Sequence, residues 1–541
     1  MIQKVIAGVL ILVGISANAQ LLQEKEKYTK ADTLRGSLRK ERNFDVLHYT
    51  LDVKVEPEKK YISGSNIIGF VPNEELTDIQ IDLYANMNVD SIIFDGKPLK
   101  YTREFDAVFI HFPQPLEKEV TSIQFYYSGN PTIAKHAPWD GGFVFTKSES
   151  GLPWIATACQ GAGASLWWPN KDHQSDEPNN GMDIFVTVPN TLMDVSNGRL
   201  MGSVPVDEEY TKWHWAVTNP INNYDVALNI GDYTHFGENY KGLDMDFYVL
   251  KENLEKAKVH FEEVKPMMDC FQEKFGTYPF KEDSYKLVET PHLGMEHQSA
   301  VAYGNKYLKG YLGNDLSRTG VGLLWDFIII HETGHEWYGN SITAKDIADM
   351  WIHEGFTTYS EAVYIECRWG YEKAQTYLNG MKLSIQNDRP VIGDYGVNKE
   401  GSGDMYNKGA MLVNTLRHII NDDEKWWKIL KDYTLHFKHQ TVTTEQVVSY
   451  FEEASGLTLK PVFDQYLRYT TIPVLQLKQD GKHVMYRWET AVPNFSMPFK
   501  ITNNGKTEML QATNDWKKLK KSKLKNIKVD TDHFYIKTQI L

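Results

Sequence analysis

Residues 328–361 read IIIHETGHEWYGNSITAKDIADMWIHEGFTTYSE. Two histidines four apart, His331 and His335, flank Glu332, and eighteen residues separate His335 from Glu354. On an α-helix, residues four apart stand one turn above each other on one face, so both imidazoles can address a single ion. Glu332 lies about 100° around the helix from His331. There it reaches a water on that ion without being a ligand. A catalytic zinc takes three protein ligands and keeps one position open, and Glu354, on the following helix, supplies the third. The bland alternative is a polar interruption on a surface helix. The apolar run Phe327-Ile328-Ile329-Ile330 speaks against it, because it sets the helix in a core. Two histidines and a glutamate buried there without compensation would cost several kcal/mol. The stretch reads as a metal site.

Outward from this helix the pattern of the chain changes twice. From about Phe44 to His235, short runs of period two such as HYTLDVKVEP, IQIDLYAN and VFIHFP are separated by Asn, Gly and Pro turns. They predict an antiparallel β-domain. Near Leu254 the spacing becomes helical, and the middle of the chain is mainly helical to about residue 470. From Ile472 the strands return. The expected organisation is α+β and multidomain: a signal peptide (1–19), an N-terminal extension (20–43), an N-terminal β-domain (44–236), a thermolysin-like, mainly helical catalytic domain (237–470) and a small C-terminal β-domain (471–541). The Lys-rich run WKKLKKSKLKN reads as a solvated turn between strands.

At 541 residues the chain is too long for one core. Its formal net charge of −13 argues against nucleic acid or an anionic membrane surface as partner, since either needs a basic face. The opening MIQKVIAGVLILVGISANAQ has a Lys, a short apolar stretch and an Ala-Asn-Ala cleavage signature. It reads as a secretory signal, too short to span a bilayer, so the expected location is periplasmic or extracellular. No later apolar run is long enough to cross a membrane. Three cysteines, Cys159, Cys270 and Cys367, are too few for a disulfide framework or a Cys-rich zinc site, and buried free thiols are expected.

HETGHEWYGNSIT followed by DMWIHEGFTTYSE resembles the aminopeptidase N family of zinc metallopeptidases, which includes the leukotriene-epoxide hydrolases. That resemblance implies one zinc ion held by His331, His335 and Glu354, with Glu332 as general base. LGMEHQSAVAYG resembles the family's G-x-M-E-N edge strand, which implies Glu296 as the carboxylate that holds a substrate's free α-amine, with Gly294 and Met295 beside it. Leu293 and His297 depart from that motif, which puts the strand's backbone approach and local hydrogen bonding at issue. GDMYNKGAMLVN resembles the family's Y-x-K-G-A helix start and implies Tyr406 as oxyanion stabiliser. The loop around Gln160 resembles the one that sends a glutamine into the amine pocket. Asp349 is expected as the hydrogen-bond partner of a zinc histidine, with a solvent-facing helix cap as the open alternative, whereas His353 points elsewhere on its helix.

The resemblance implies an aminopeptidase acting on peptides with a free N-terminus. Three alternatives stay open on the sequence: a zinc endopeptidase on the same site, an epoxide hydrolase on the same site, and a non-catalytic peptide-binding relative. The last would be marked by loss of Glu332 or of a ligand, and none is lost.

Overall fold

A computed structural model describes residues 27–541. The expected signal segment (1–19) lies outside the described residues. The strand Phe44–Glu56 shows how the first unit forms: Tyr49, Leu51, Val53 and Val55 alternate into the core while their neighbours face outward. It pairs antiparallel with Tyr61–Pro72 and parallel with Met182–Pro189 inside an eight-stranded sheet. Among the described strands the β-domain is antiparallel apart from this junction, which needs the long crossover between residues 56 and 182. A three-stranded sheet and a four-stranded sheet complete it, the latter including Pro153–Ala158, which leads into the Gln160 loop.

The central unit begins with a five-stranded sheet in the order Tyr233–Tyr240, Leu243–Leu250, Tyr285–Glu289, Val301–Tyr303, Gly294–Met295. The first of these runs across the boundary expected at 236/237 and pairs over its whole length with Leu243–Leu250. Strand pairing thus puts the division a few residues earlier. Gly294–Met295 forms the sheet's free edge, bonded only to Val301–Tyr303. Behind it stand the helices Phe327–Gly334, Trp351–Trp369 and Asn407–Ile420.

The C-terminal strands, among them Val474–Asp480, His483–Glu489 and Ser496–Asn503, do not build a separate interior. Leu475, Trp488 and Phe499 belong to the same hydrophobic core as Phe463 and Tyr466 of the helical unit. The Lys-rich run is not only a turn, since Lys517–Leu519 is a strand paired with His483–Glu489. The cysteine expectation also fails in part. Cys270 and Cys367 form a disulfide, with Cα atoms 6.1 Å apart, joining the helix Val264–Phe275 to the end of Trp351–Trp369. A count of three did not preclude a single bridge. Cys159 is free and buried, as expected.

Candidate active site

The histidine-bearing helix begins at Phe327, where the apolar run starts, because Asp326 caps it. The Asp326 carboxylate accepts from the backbone N–H of Ile328 and Ile329 and is itself held by Tyr303 and Asn305. The helix ends at Gly334, and the chain kinks through Tyr338 and Gly339. That kink swings the Tyr338 carbonyl back to within 3.0 Å of His335 Nδ1.

Three buried side chains converge here. His331 Nε2 and His335 Nε2 are 3.3 Å apart, and Glu354 Oε2 lies 3.6 Å from the first and 3.4 Å from the second. Donors bound to zinc at about 2.0–2.1 Å in a tetrahedron stand roughly 3.4 Å from each other, so this triangle fits the ion. The outer atoms are already engaged. His331 Nδ1 bonds Glu361 Oε1 at 2.7 Å, and His335 Nδ1 meets the Tyr338 carbonyl and the Thr357 hydroxyl. Both Nε2 atoms are thereby turned inward, and Glu354 Oε2 is buried without a hydrogen-bond partner. The field matches a cation: burial alone would lower the His331 pKa, yet the neighbouring carboxylates of Glu354 and Glu361 push it well above the ordinary imidazole range. Burial would raise Glu354, but His335 and His331 hold it well below the usual carboxylate range.

Glu332 stands on the same helix beside this triangle, where burial raises its carboxyl against the lowering pull of His331. The edge strand lies close above. A Cβ on Gly294 would come within 2.8 Å of Ile328 Cγ2 and 3.0 Å of Glu332 Oε1, so glycine here is what lets the strand approach. Leu293, one position earlier, does not prevent that approach. One donor atom each from Glu296, Glu332 and His335 falls within 4.8 Å of the others.

The β-domain reaches into the same space. Gln160 Nε2 donates to Glu296 Oε1 at 2.7 Å and to Glu354 Oε1 at 3.1 Å, and the Tyr224 hydroxyl donates to Glu296 Oε1 at 3.2 Å. Asn340 Nδ2 holds the Glu296 backbone carbonyl at 2.6 Å. His297 is fully buried, and burial drives its pKa well down, so it stays neutral beneath the strand.

Tyr406 precedes the helix Asn407–Ile420, which crosses Trp351–Trp369 at a glycine contact. A Cβ on Gly409 would stand 2.7 Å from Gly355 Cα. This close crossing carries the Tyr406 ring to 6.2 Å from the His331 ring. Burial, then the charge of Glu354, raises the Tyr406 phenol far above its ordinary value, keeping it a donor. Met295, Glu296, Gln160, Glu332, the metal triad and Tyr406 all line one cavity of about 600 Å³.

Asp349 is not the partner of a zinc histidine. Its oxygens accept from Thr444 and Tyr395, so it anchors the start of its helix to a neighbouring one. Glu361 takes the place expected of it, with Tyr377 donating to its second oxygen at 2.6 Å. Glu361 was within reach of sequence reasoning, since it lies seven residues, about two turns, beyond Glu354 and so on the same face. Tyr224 had no such signal. His353 accepts from the Ala344 N–H and is no ligand.

Residues 46–224 match the peptidase M1 N-terminal domain and residues 259–466 match the peptidase family M1 domain. A tricorn protease-interacting factor of Thermoplasma acidophilum is 20% identical over 426 residues, covering 75% of this chain and 51% of that protein. Aminopeptidase N of Streptomyces lividans is 27% identical over 289 residues (49% and 33%), and glutamyl aminopeptidase of Sus scrofa 24% over 322 (56% and 34%). The chain thus spans about half the length of the first and about a third of the other two. Among solved structures, an M1 zinc metallopeptidase from Deinococcus radiodurans has the same fold, with a TM-score of 0.68 at 20% identity, covering 80% of this chain and 95% of that one.

Proposed function

The chain belongs to peptidase family M1, and from that premise we propose that it is a zinc aminopeptidase removing the first residue of peptides with a free N-terminus. The observation that carries this reading is the distance between two sites. A carboxylate that can hold an α-ammonium, Glu296, stands within 4.8 Å of Glu332 and His335. One residue spans about 3.3–3.6 Å, so a substrate anchored by its amine places only its first peptide bond at Glu332. An endopeptidase would need that space open.

Held by His331, His335 and Glu354, a zinc ion would lower the pKa of an attacking water toward neutrality and would serve as Lewis acid for the scissile carbonyl. Glu332 takes a proton from the attacking water and passes it to the leaving amine. The Tyr406 hydroxyl donates to the oxygen on which negative charge develops. Glu296 receives the α-ammonium, held in place by Gln160 and Tyr224. The free edge Gly294–Met295 pairs with the substrate backbone as an added strand.

We further propose an extracytoplasmic location. The signal-like opening supports it, and so does the Cys270–Cys367 bridge, since disulfides persist mainly in oxidising compartments. The test is metal analysis of the purified chain combined with chromatography of a free peptide and its N-acetylated twin. One zinc per chain and stepwise loss of first residues from the free peptide alone are expected. Equal cleavage of both peptides, or internal cuts, would overturn the reading.

A further inference from the structure

We propose that Trp139 is the surface against which the side chain of the substrate's first residue packs, and that it selects large aromatic side chains over small ones. This rests on the aminopeptidase reading above and names the substrate class of the same site.

Among the described tryptophans Trp139 alone is exposed, at 69%. An indole so far exposed contributes little packing to the fold. The loop that carries it is tied by its own hydrogen bonds: Asp140 Oδ2 accepts from the N–H of Lys135 (2.6 Å) and His136 (2.8 Å), and the Trp139 N–H donates to the His136 carbonyl at 3.0 Å. It also has a defined seat. A Cβ on Gly141 would overlap Ala162 Cβ at 2.3 Å, so the loop lies directly on the segment that presents Gln160.

That seat decides what the indole can touch. The β-domain contributes Pro138, Trp139 and Gln160 to the catalytic cavity, and Met295 lines it from the edge strand beside Glu296. A substrate's amine is taken up between Gln160 and Glu296, and its first carbonyl is directed toward Glu332. The remaining substituent on that Cα is the side chain. Of the residues that line the cavity, the β-domain's apolar contribution is the Pro138–Trp139 pair, and the Met295 thioether lines it beside Glu296. Aromatic rings pack favourably on both an indole and a thioether. A tryptophan with two side-chain torsions loses little freedom when covered, which is why such residues serve as anchors.

The experiment compares kcat/KM for Ala-, Leu-, Phe- and Arg-coumarylamides in the parent chain, Trp139→Ala and Trp139→Phe, each checked for zinc content. The Phe substrate should exceed Ala by about tenfold or more in the parent, equivalent to about 1.4 kcal/mol. Trp139→Ala should bring that ratio down to within about threefold, and Trp139→Phe should keep most of it. The proposal is overturned by a Phe-to-Ala ratio that Trp139→Ala leaves intact, by equal losses on both substrates, or by Arg being the substrate whose preference vanishes. No turnover of any coumarylamide, Ala included, would instead sink the aminopeptidase reading itself.

Discussion

The metal end and the amine end of the cleft are built in opposite ways. His331, His335, Glu354 and Glu361 all come from one short stretch, folded as two adjacent buried helices. The amine end joins Gln160, Tyr224 and Glu296, with separations of 136 residues between Gln160 and Glu296 and 72 between Tyr224 and Glu296. The first is held by helix geometry within a single core. The second exists only while the β-domain is docked on the edge strand. The metal site therefore sits on one local stretch, and recognition sits across the domain junction.

That contrast makes graded demands on mutation. Glu332→Gln should cost most, about a thousandfold in kcat, because a positioned general base is worth roughly 10²–10⁴. Zinc content should stay unchanged, and metal analysis beside initial rates checks both. Loss of zinc would mean that Glu332 helps to hold the ion. Glu296→Ala should come next, at about a hundredfold in kcat/KM for free peptides, since truncating one side of a buried charge pair costs about 2–5 kcal/mol. The acetylated peptide, which is not cleaved, should inhibit parent and variant equally. A similar weakening of both peptides would erase the distinction between the two ends.

The same contrast explains what the sequence disclosed. The metal site was legible because helical periodicity turns a spacing of four into a shared face, and Glu361 could have been reached by extending that rule two turns past Glu354. Asp349 was misassigned because spacing says which residues are near but not which way a helix start turns; its carboxylate caps toward Thr444. Strand periodicity identified the β-domain, but it carries no register between distant strands. The parallel junction of Phe44–Glu56 with Met182–Pro189 and the arrival of Tyr224 at Glu296 were therefore out of reach. Glu296, Gln160 and Tyr406 were found through resemblance alone. The disulfide depends on the crossing of two helices 97 residues apart, which no count of cysteines supplies.

Within the metal end a smaller effect is expected from Glu361→Gln. The change keeps the shape beside His331 Nδ1 and Tyr377 but removes the charge that fixes the imidazole. Such outer partners are worth about 10–100-fold in metal affinity, so competition with a chelator should show zinc held about tenfold more weakly. With zinc in excess the turnover should largely return. If it does not, Glu361 does more than orient the ligand.

The smallest effect separates the two ends most cleanly. Tyr224→Phe leaves the buried ring and its packing in place and deletes one hydroxyl, the donor 3.2 Å from Glu296 Oε1. Gln160 still donates to the same oxygen, so the carboxylate is loosened rather than stranded. Losing one of two hydrogen bonds to a charged group should cost about 1 kcal/mol, or about fivefold in KM, with kcat little changed because Glu332 and Tyr406 are untouched. Adding Gln160→Ala should then cost more than the two single changes together, since each donor covers for the other; a double-mutant cycle reads that coupling directly. Simple additivity, or a fall in kcat with KM constant, would mean that Tyr224 supports the domain junction and not the amine pocket. Recognition would then rest on the edge strand alone, and the division of labour between the two ends would not hold.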